Sequence, residues 1–119
     1  MNLNGVLPVF YAENLLPILD FYTGALGFVA DTVHPDHEDP EVLILNHGRV
    51  SIMYAKVGPM PESCGQLNFE VDNVDKVLAG LPEAITPDWG PEDFDYGRRE
   101  FAIRDPNGIL LVFSMPTPL

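Results

Sequence analysis

Four groups of side chains in this sequence are of a type and spacing that could do chemistry. In "HPDHEDP" (residues 34–40), His34 and His37 stand three apart beside Glu38 and Asp39, nitrogen and oxygen donors of the kind that hold divalent ions. Cys64 is the one thiol and the one soft nucleophile. In "QLNFE" (residues 66–70) a strand would put Glu70 on the same side as Gln66, where a partly buried carboxylate can act as a general base. The segment "PDWGPEDFDYGRRE" (residues 87–100) sets Trp89, Phe94 and Tyr96 among Asp88, Glu92, Asp93 and Asp95, just ahead of Arg98 and Arg99. Aromatic faces flanked by carboxylates suit a flat or cationic ligand through stacking and cation-π attraction, each on the order of 1 kcal/mol.

The first three groups have plainer readings. The histidines sit in a loop interrupted by Pro35 and Pro40, with no scaffold to fix ligand geometry. No base or cation neighbours Cys64 in sequence to lower its pKa. Glu70 lies near a helix entry, where the positive end of the dipole favours an acid. Asp105 begins a turn, where Asp bonds local backbone amides. The aromatic segment competes with simple loop packing, yet its acids and aromatics together make it the strongest binding candidate.

The elements that must position these residues form one small domain. With 119 residues and 46% hydrophobic content the chain can bury about two thirds of its unfolded surface without staples. A single cysteine excludes an intrachain disulfide and fits a reducing cytoplasm, and the N-terminus "MNLNGVLPVF" reads as neither export signal nor membrane span. Eighteen acidic residues against six Lys plus Arg give a formal charge of -12, which repels phosphate backbones and anionic lipid. Nucleic acid and membrane are therefore not expected partners; the same field would concentrate a cationic small molecule, but acidic surfaces are common in bacterial cytosolic proteins and charge alone settles little.

Residues 6–11 read as a strand, with Pro8 marking its start or a sheet edge. Asn14 can cap a helix whose apolar positions Leu15, Ile18, Leu19, Tyr22 and Leu26 recur at three and four, ended by Gly27 in a left-handed cap. Residues 28–34 read as a second strand, and "EVLILNHGRVSIMYA" as a hairpin turning at His47 and Gly48. "KVGPMPESCG" breaks both periods, and the plan then repeats: strand at 66–71, cap at Asp72 or Asn73, helix at 74–81, a weak strand at "EAITPD", and a hairpin of "RREFAIR" and "ILLVFSM" closed by "DPNG". At an offset of 59 residues, Glu13-Asn14-Leu15 falls on Asp72-Asn73-Val74. The expected fold is α+β, two β-α-β-β-β modules (about 1–56 and 66–119, joined by 57–65) whose open-faced sheets enclose a cleft and carry helices on their outer faces.

The stretches "NLLPILDFYTGALGF", "LNFEVDNVDKVLAGL" and "YGRREFAIRDPNGILLVF" resemble the vicinal oxygen chelate superfamily of glyoxalase I, extradiol dioxygenases and bleomycin-resistance proteins, over nearly the whole chain. In its metal-using members the resemblance implies four ligands on paired strands. Those positions fall here at Leu7, Met53 (or Ile52 with a one-residue slip), Gln66 and Val112. Three carry hydrocarbon or thioether, and Gln66 alone does not hold a catalytic ion. Along "ILLVFSM", Leu110, Val112 and Ser114 share one face, so the cleft is expected to be mainly apolar.

The resemblance therefore implies the metal-free, bleomycin-resistance-like branch, in which the corresponding region lines the crevice of a dimer. The expectation is a cytoplasmic homodimer without cofactor or metal that sequesters an aromatic or cationic small molecule. Leu7, Val9, Met53, Gln66, Asn68 and Val112 are its expected lining, Trp89, Phe94 and Tyr96 its stacking residues, and Arg99 a polar contact. The alternatives are a glyoxalase- or dioxygenase-like enzyme with a non-standard site, or a structural dimer that fills its own cleft.

Overall fold

Each half of the chain runs as a strand, a short helix and three more strands. The computed structural model describes residues 1–2, 4–56 and 65–118, and two units, Met1–Ser63 and Cys64–Leu119, separate by their contacts. Residues 57–64 of the connection, Cys64 among them, lie outside the described residues. The first unit holds β1 (Val9–Ala12), α1 (Leu16–Asp20), β2 (Val29–His34), β3 (Val42–His47) and β4 (Val50–Lys56). The second holds β5 (Gln66–Glu70), α2 (Val74–Ala79), β6 (Trp89–Phe94), β7 (Arg98–Arg104) and β8 (Leu110–Pro116). The sheet orders are β1-β4-β3-β2 and β5-β8-β7-β6, each open, with its first and last strands parallel and the other pairs antiparallel.

In the first unit, Pro8 precedes β1 at the sheet edge, and its carbonyl accepts from the Met53 N–H at 3.0 Å. The cap position falls at Leu15, one residue later than expected, and carries no side-chain cap bond; Asn14 Oδ1 accepts from the Leu16 N–H at 3.1 Å in a local turn just ahead of the helix. The helix is shorter than its apolar spacing predicts: after Asp20 it widens into a π-helical turn, Phe21–Ala25, with the Leu26 N–H on the Phe21 carbonyl at 3.3 Å. Thr23 Oγ1 donates to the Leu19 carbonyl at 2.7 Å, competing for a helical acceptor. Tyr22 is fully buried and meets Phe28 edge-on at 5.2 Å and Tyr54 at 6.0 Å. Leu43, Leu45 and Ile52 complete the core on the same sheet face as Tyr54. Gly27 ends the segment at φ +74°, as expected. His47 pairs with Val50, so the hairpin loop is Gly48 and Arg49, one residue later than the sequence reading, with Gly48 at φ +58°.

In the second unit, Asn73 Oδ1 accepts from the Lys76 N–H at 3.0 Å and caps α2. Phe101 stacks on Phe113 at 5.1 Å, Phe69 meets Phe113 at 5.3 Å, and Leu111, Ile103 and Val74 are fully buried. The weak strand expected at 83–88 is absent; the strand lies at "WGPEDF", which sequence patterning reads as loop. Gly-Pro ordinarily signals a turn, but here Gly90 and Pro91 form an irregularity within the strand, between the paired residues Trp89 and Glu92. Gly90 has φ +79°, and a Cβ there would lie 2.3 Å from the Glu100 carbonyl oxygen. Asp105 closes the β7–β8 turn by accepting from Asn107 N–H at 2.8 Å and Ile109 N–H at 3.0 Å, an architectural role. Among the described residues, no helix is long and apolar enough to cross a membrane.

Candidate ligand-binding site

The β6–β7 hairpin builds an aromatic ladder. Phe94 pairs with Arg98 across a three-residue loop that closes with Gly97 N–H on the Phe94 carbonyl at 3.1 Å and Gly97 at φ +85°. This loop turns the Tyr96 ring parallel to Phe94, centroids 5.3 Å apart and planes 6° off. Trp89 meets Phe94 edge-on at 5.6 Å. Trp89 and Phe94 are half-buried, while Tyr96 is 61% exposed, so the outer end of the ladder is accessible.

Behind Tyr96 lies a polar network. The period of two along β7 puts Arg99, Phe101 and Ile103 on one face, the last two in the core and Arg99 at the surface, and Arg98, Glu100 and Ala102 on the other. Glu100, 7% exposed, accepts from the Tyr96 hydroxyl at 2.5 Å and from the Ser114 hydroxyl at 2.6 Å. Two charge-assisted bonds offset much of the cost of burying that carboxylate. Ser114 Oγ in turn accepts from Arg98 Nε at 2.9 Å, and Arg98 Nη2 is ion-paired with Glu70. Asn68, Glu70, Tyr96, Arg98, Glu100 and Ser114 line a cavity of about 370 Å³. The Glu100 bond, then burial and the negative charges of Glu100 and Asp95, push the Tyr96 phenol above its ordinary range.

The expected site residues divide as follows. Trp89, Phe94 and Tyr96 come together. Gln66 and Asn68 are both exposed and joined, Gln66 Nε2 donating to Asn68 Oδ1 at 2.8 Å. In the first unit, Val9 and Met53 are register partners on the sheet face opposite Tyr54, and Leu7 lies two residues before β1, 43% exposed. Val112 is the register partner of Asn68, yet it is 1% exposed and offers almost no surface.

Two placements differ from the sequence reading. Arg99 does not stand with the aromatics: it projects from the α2-side face of β7, bonded to Asp75 at 2.9 and 3.0 Å and to Asp93 at 3.0 Å. Those two carboxylates hold its guanidinium protonated well above the ordinary range and pull Asp75 below its own. At its Ser114 end the β8 face is polar, with Arg98, Glu100 and Glu70 around it, while Val112 and its partner Ala102 on the same face are apolar and buried. Sequence reasoning passed over Arg98 and Glu100, although the strand alternation in "RREFAIR", anchored on Phe101 and Ile103, contains both placements.

A divalent ion does not fit the four positions that the resemblance implies for ligands. Leu7 and Val112 have no donor, Met53 has a thioether, and Gln66, whose Nε2 donates to Asn68, offers one neutral amide oxygen, too few ligands for a catalytic ion. Among the described residues no group of three or more His, Cys, Asp or Glu could hold a metal.

With this geometry, the comparisons with known proteins define a class. The family profile described as Glyoxalase/Bleomycin resistance protein/Dioxygenase superfamily matches residues 8–113, and the chain belongs to that superfamily. Comparison by sequence with curated proteins returns no match. Among solved structures, the chain is similar to TioX from Micromonospora sp. ML1, at 18% identity and TM-score 0.83, over 95% of this chain and 98% of that one. It is similar to the bleomycin-binding protein of Streptomyces verticillus, solved with copper(II)-bleomycin, at 20% identity and TM-score 0.73, over 100% and 99%. It is also similar to a lactoylglutathione lyase from Agrobacterium tumefaciens, at 19% identity and TM-score 0.76, over 96% and 95%. At these identities the likeness is one of fold, and binding protein and enzyme share it.

Proposed function

We propose that this protein is a metal-independent small-molecule binding protein that sequesters an aromatic or cationic ligand, held on the Trp89–Phe94–Tyr96 ladder beside the Glu100 cavity and closed by a second copy of the chain. The observation that carries this reading is the ladder itself: three rings in series, with Phe94 between Trp89 and an exposed Tyr96, adjoining a cavity of about 370 Å³. That volume is within the range of small-molecule sites. The net charge of -12 favours cations over anions at long range. The absence of donors at Leu7, Met53 and Val112 supports binding without an ion. The bleomycin complex of the Streptomyces verticillus protein supports ligand capture as a use of this fold.

Native mass spectrometry of freshly isolated protein tests the reading. It predicts a dimer and a retained or readily loaded small molecule, lost in a Trp89→Ala, Phe94→Ala double variant. A monomer that takes up no aromatic compound, or a cation bound stoichiometrically after reconstitution with nickel, zinc, manganese and iron, contradicts it.

A further inference from the structure

We propose that the cavity behind Tyr96 is a subsite for a neutral carboxamide carried by the aromatic ligand. This rests on the binding reading above and narrows it to a ligand class. The argument is a count of hydrogen-bonding groups. Arg98 uses Nε on Ser114 and Nη2 on Glu70, and its Nη1, which carries two N–H groups, has no partner among the described residues. Asn68 accepts from Gln66 through Oδ1, which leaves its amide N–H groups as donors. Tyr96, which lines the cavity, gives its only proton to Glu100, so its oxygen retains acceptor capacity. Ser114 likewise gives its proton to Glu100 and accepts from Arg98. Glu70 accepts from Arg98 through Oε2, which leaves Oε1.

The cavity thus presents donors on Arg98 and Asn68, and acceptors on Tyr96 and Glu70. A carboxylate or phosphate group would satisfy Arg98 but face the carboxylates of Glu70 and Glu100 and the lone pairs of Tyr96. An ammonium group would satisfy the acceptors, leave the Nη1 N–H groups without a partner, and meet a guanidinium. A carboxamide matches both sets: its carbonyl accepts from Arg98 or Asn68, and its NH₂ donates to Tyr96 or Glu70. Tyr96 belongs to ladder and cavity alike, so a ring stacked there carries its substituent toward the donors and acceptors.

The test compares 2-naphthamide, 2-naphthoate and 2-naphthylmethylammonium, three probes with one aromatic body, by isothermal titration of the whole protein. We expect the amide to bind at least about tenfold tighter than either charged probe, the factor that one additional satisfied polar group supplies. Tyr96→Phe keeps the ring and removes the acceptor, and Arg98→Lys keeps the charge and removes the planar fork. Each is expected to reduce amide affinity about fivefold or more while the naphthoate affinity changes less than about twofold. Equal affinity for the three probes, preference for a charged one, or an amide preference unchanged in both variants overturns the subsite and leaves the ladder reading standing. Failure of every probe to bind overturns both.

Discussion

Tyr96 donates to Glu100, and because the neutral phenol is the donor, that bond raises the Tyr96 pKa above the ordinary 10.0, with burial and the charges of Glu100 and Asp95 adding to it against Arg98. The bond is present below the ordinary tyrosine value and is lost as pH rises through the higher folded-state value. Phenolate absorbance is therefore expected to place Tyr96, identified by the transition that Tyr96→Phe removes, above 10.0, and Glu100→Gln to bring that transition down. Asp75 is shifted the other way by Arg99, so its contribution to stability is present above the ordinary 3.8 and lost as pH falls through its lower folded value. Carboxyl NMR should place Asp75 below 3.8, and Arg99→Gln should return it toward that value. The two arginines also show what was legible at this scale. Both were visible beside the aromatics, but which one faces the ladder depends on strand phase, and phase is set by Phe101 and Ile103 in the core.

Among elements, regular alternation made β7 readable to its ends, and Asn73 made the start of α2 readable. β6 was obscured because Gly90 and Pro91 carry the local signature of a turn while the chain continues to pair with β7. The glycine is required on two counts, a left-handed φ and the 2.3 Å approach of a Cβ to the Glu100 carbonyl oxygen. Gly90→Ala is expected to cost on the order of 3 kcal/mol in urea unfolding and to disorder the ladder. Gly24→Ala, with open space at its Cβ, is the control and is expected to stay within about 1 kcal/mol of the parent. Asn73→Ala removes the α2 cap and should cost about 1 kcal/mol. The π-helical turn escaped notice because apolar spacing of three and four does not distinguish i+4 from i+5 bonding over five residues.

Across the whole molecule, the offset of 59 that aligned Asn14 with Asn73 also relates the pairs Val9–Met53 and Asn68–Val112, so the doubled β-α-β-β-β plan was written in the sequence. The chemistry is not doubled. Val9, Tyr11 and Met53 mark the face opposite Tyr54 in the first unit as apolar, whereas Gln66, Asn68 and Glu70 stand on a polar face in the second. The fold follows from patterns local to each strand, while the candidate site joins β5, the β6–β7 loop, β7 and β8, and such a meeting of distant residues leaves no local pattern to read. Trp89 is the single tryptophan, so its emission reports on the ladder alone. The most direct measurement is a titration of that emission with planar aromatic probes, neutral, cationic and anionic, in excess chelator. Saturable quenching at one site per chain, unchanged by chelator and abolished by Phe94→Ala with Tyr96→Ala, is the predicted result; no saturable response, or one that appears only with an added divalent ion, contradicts the account.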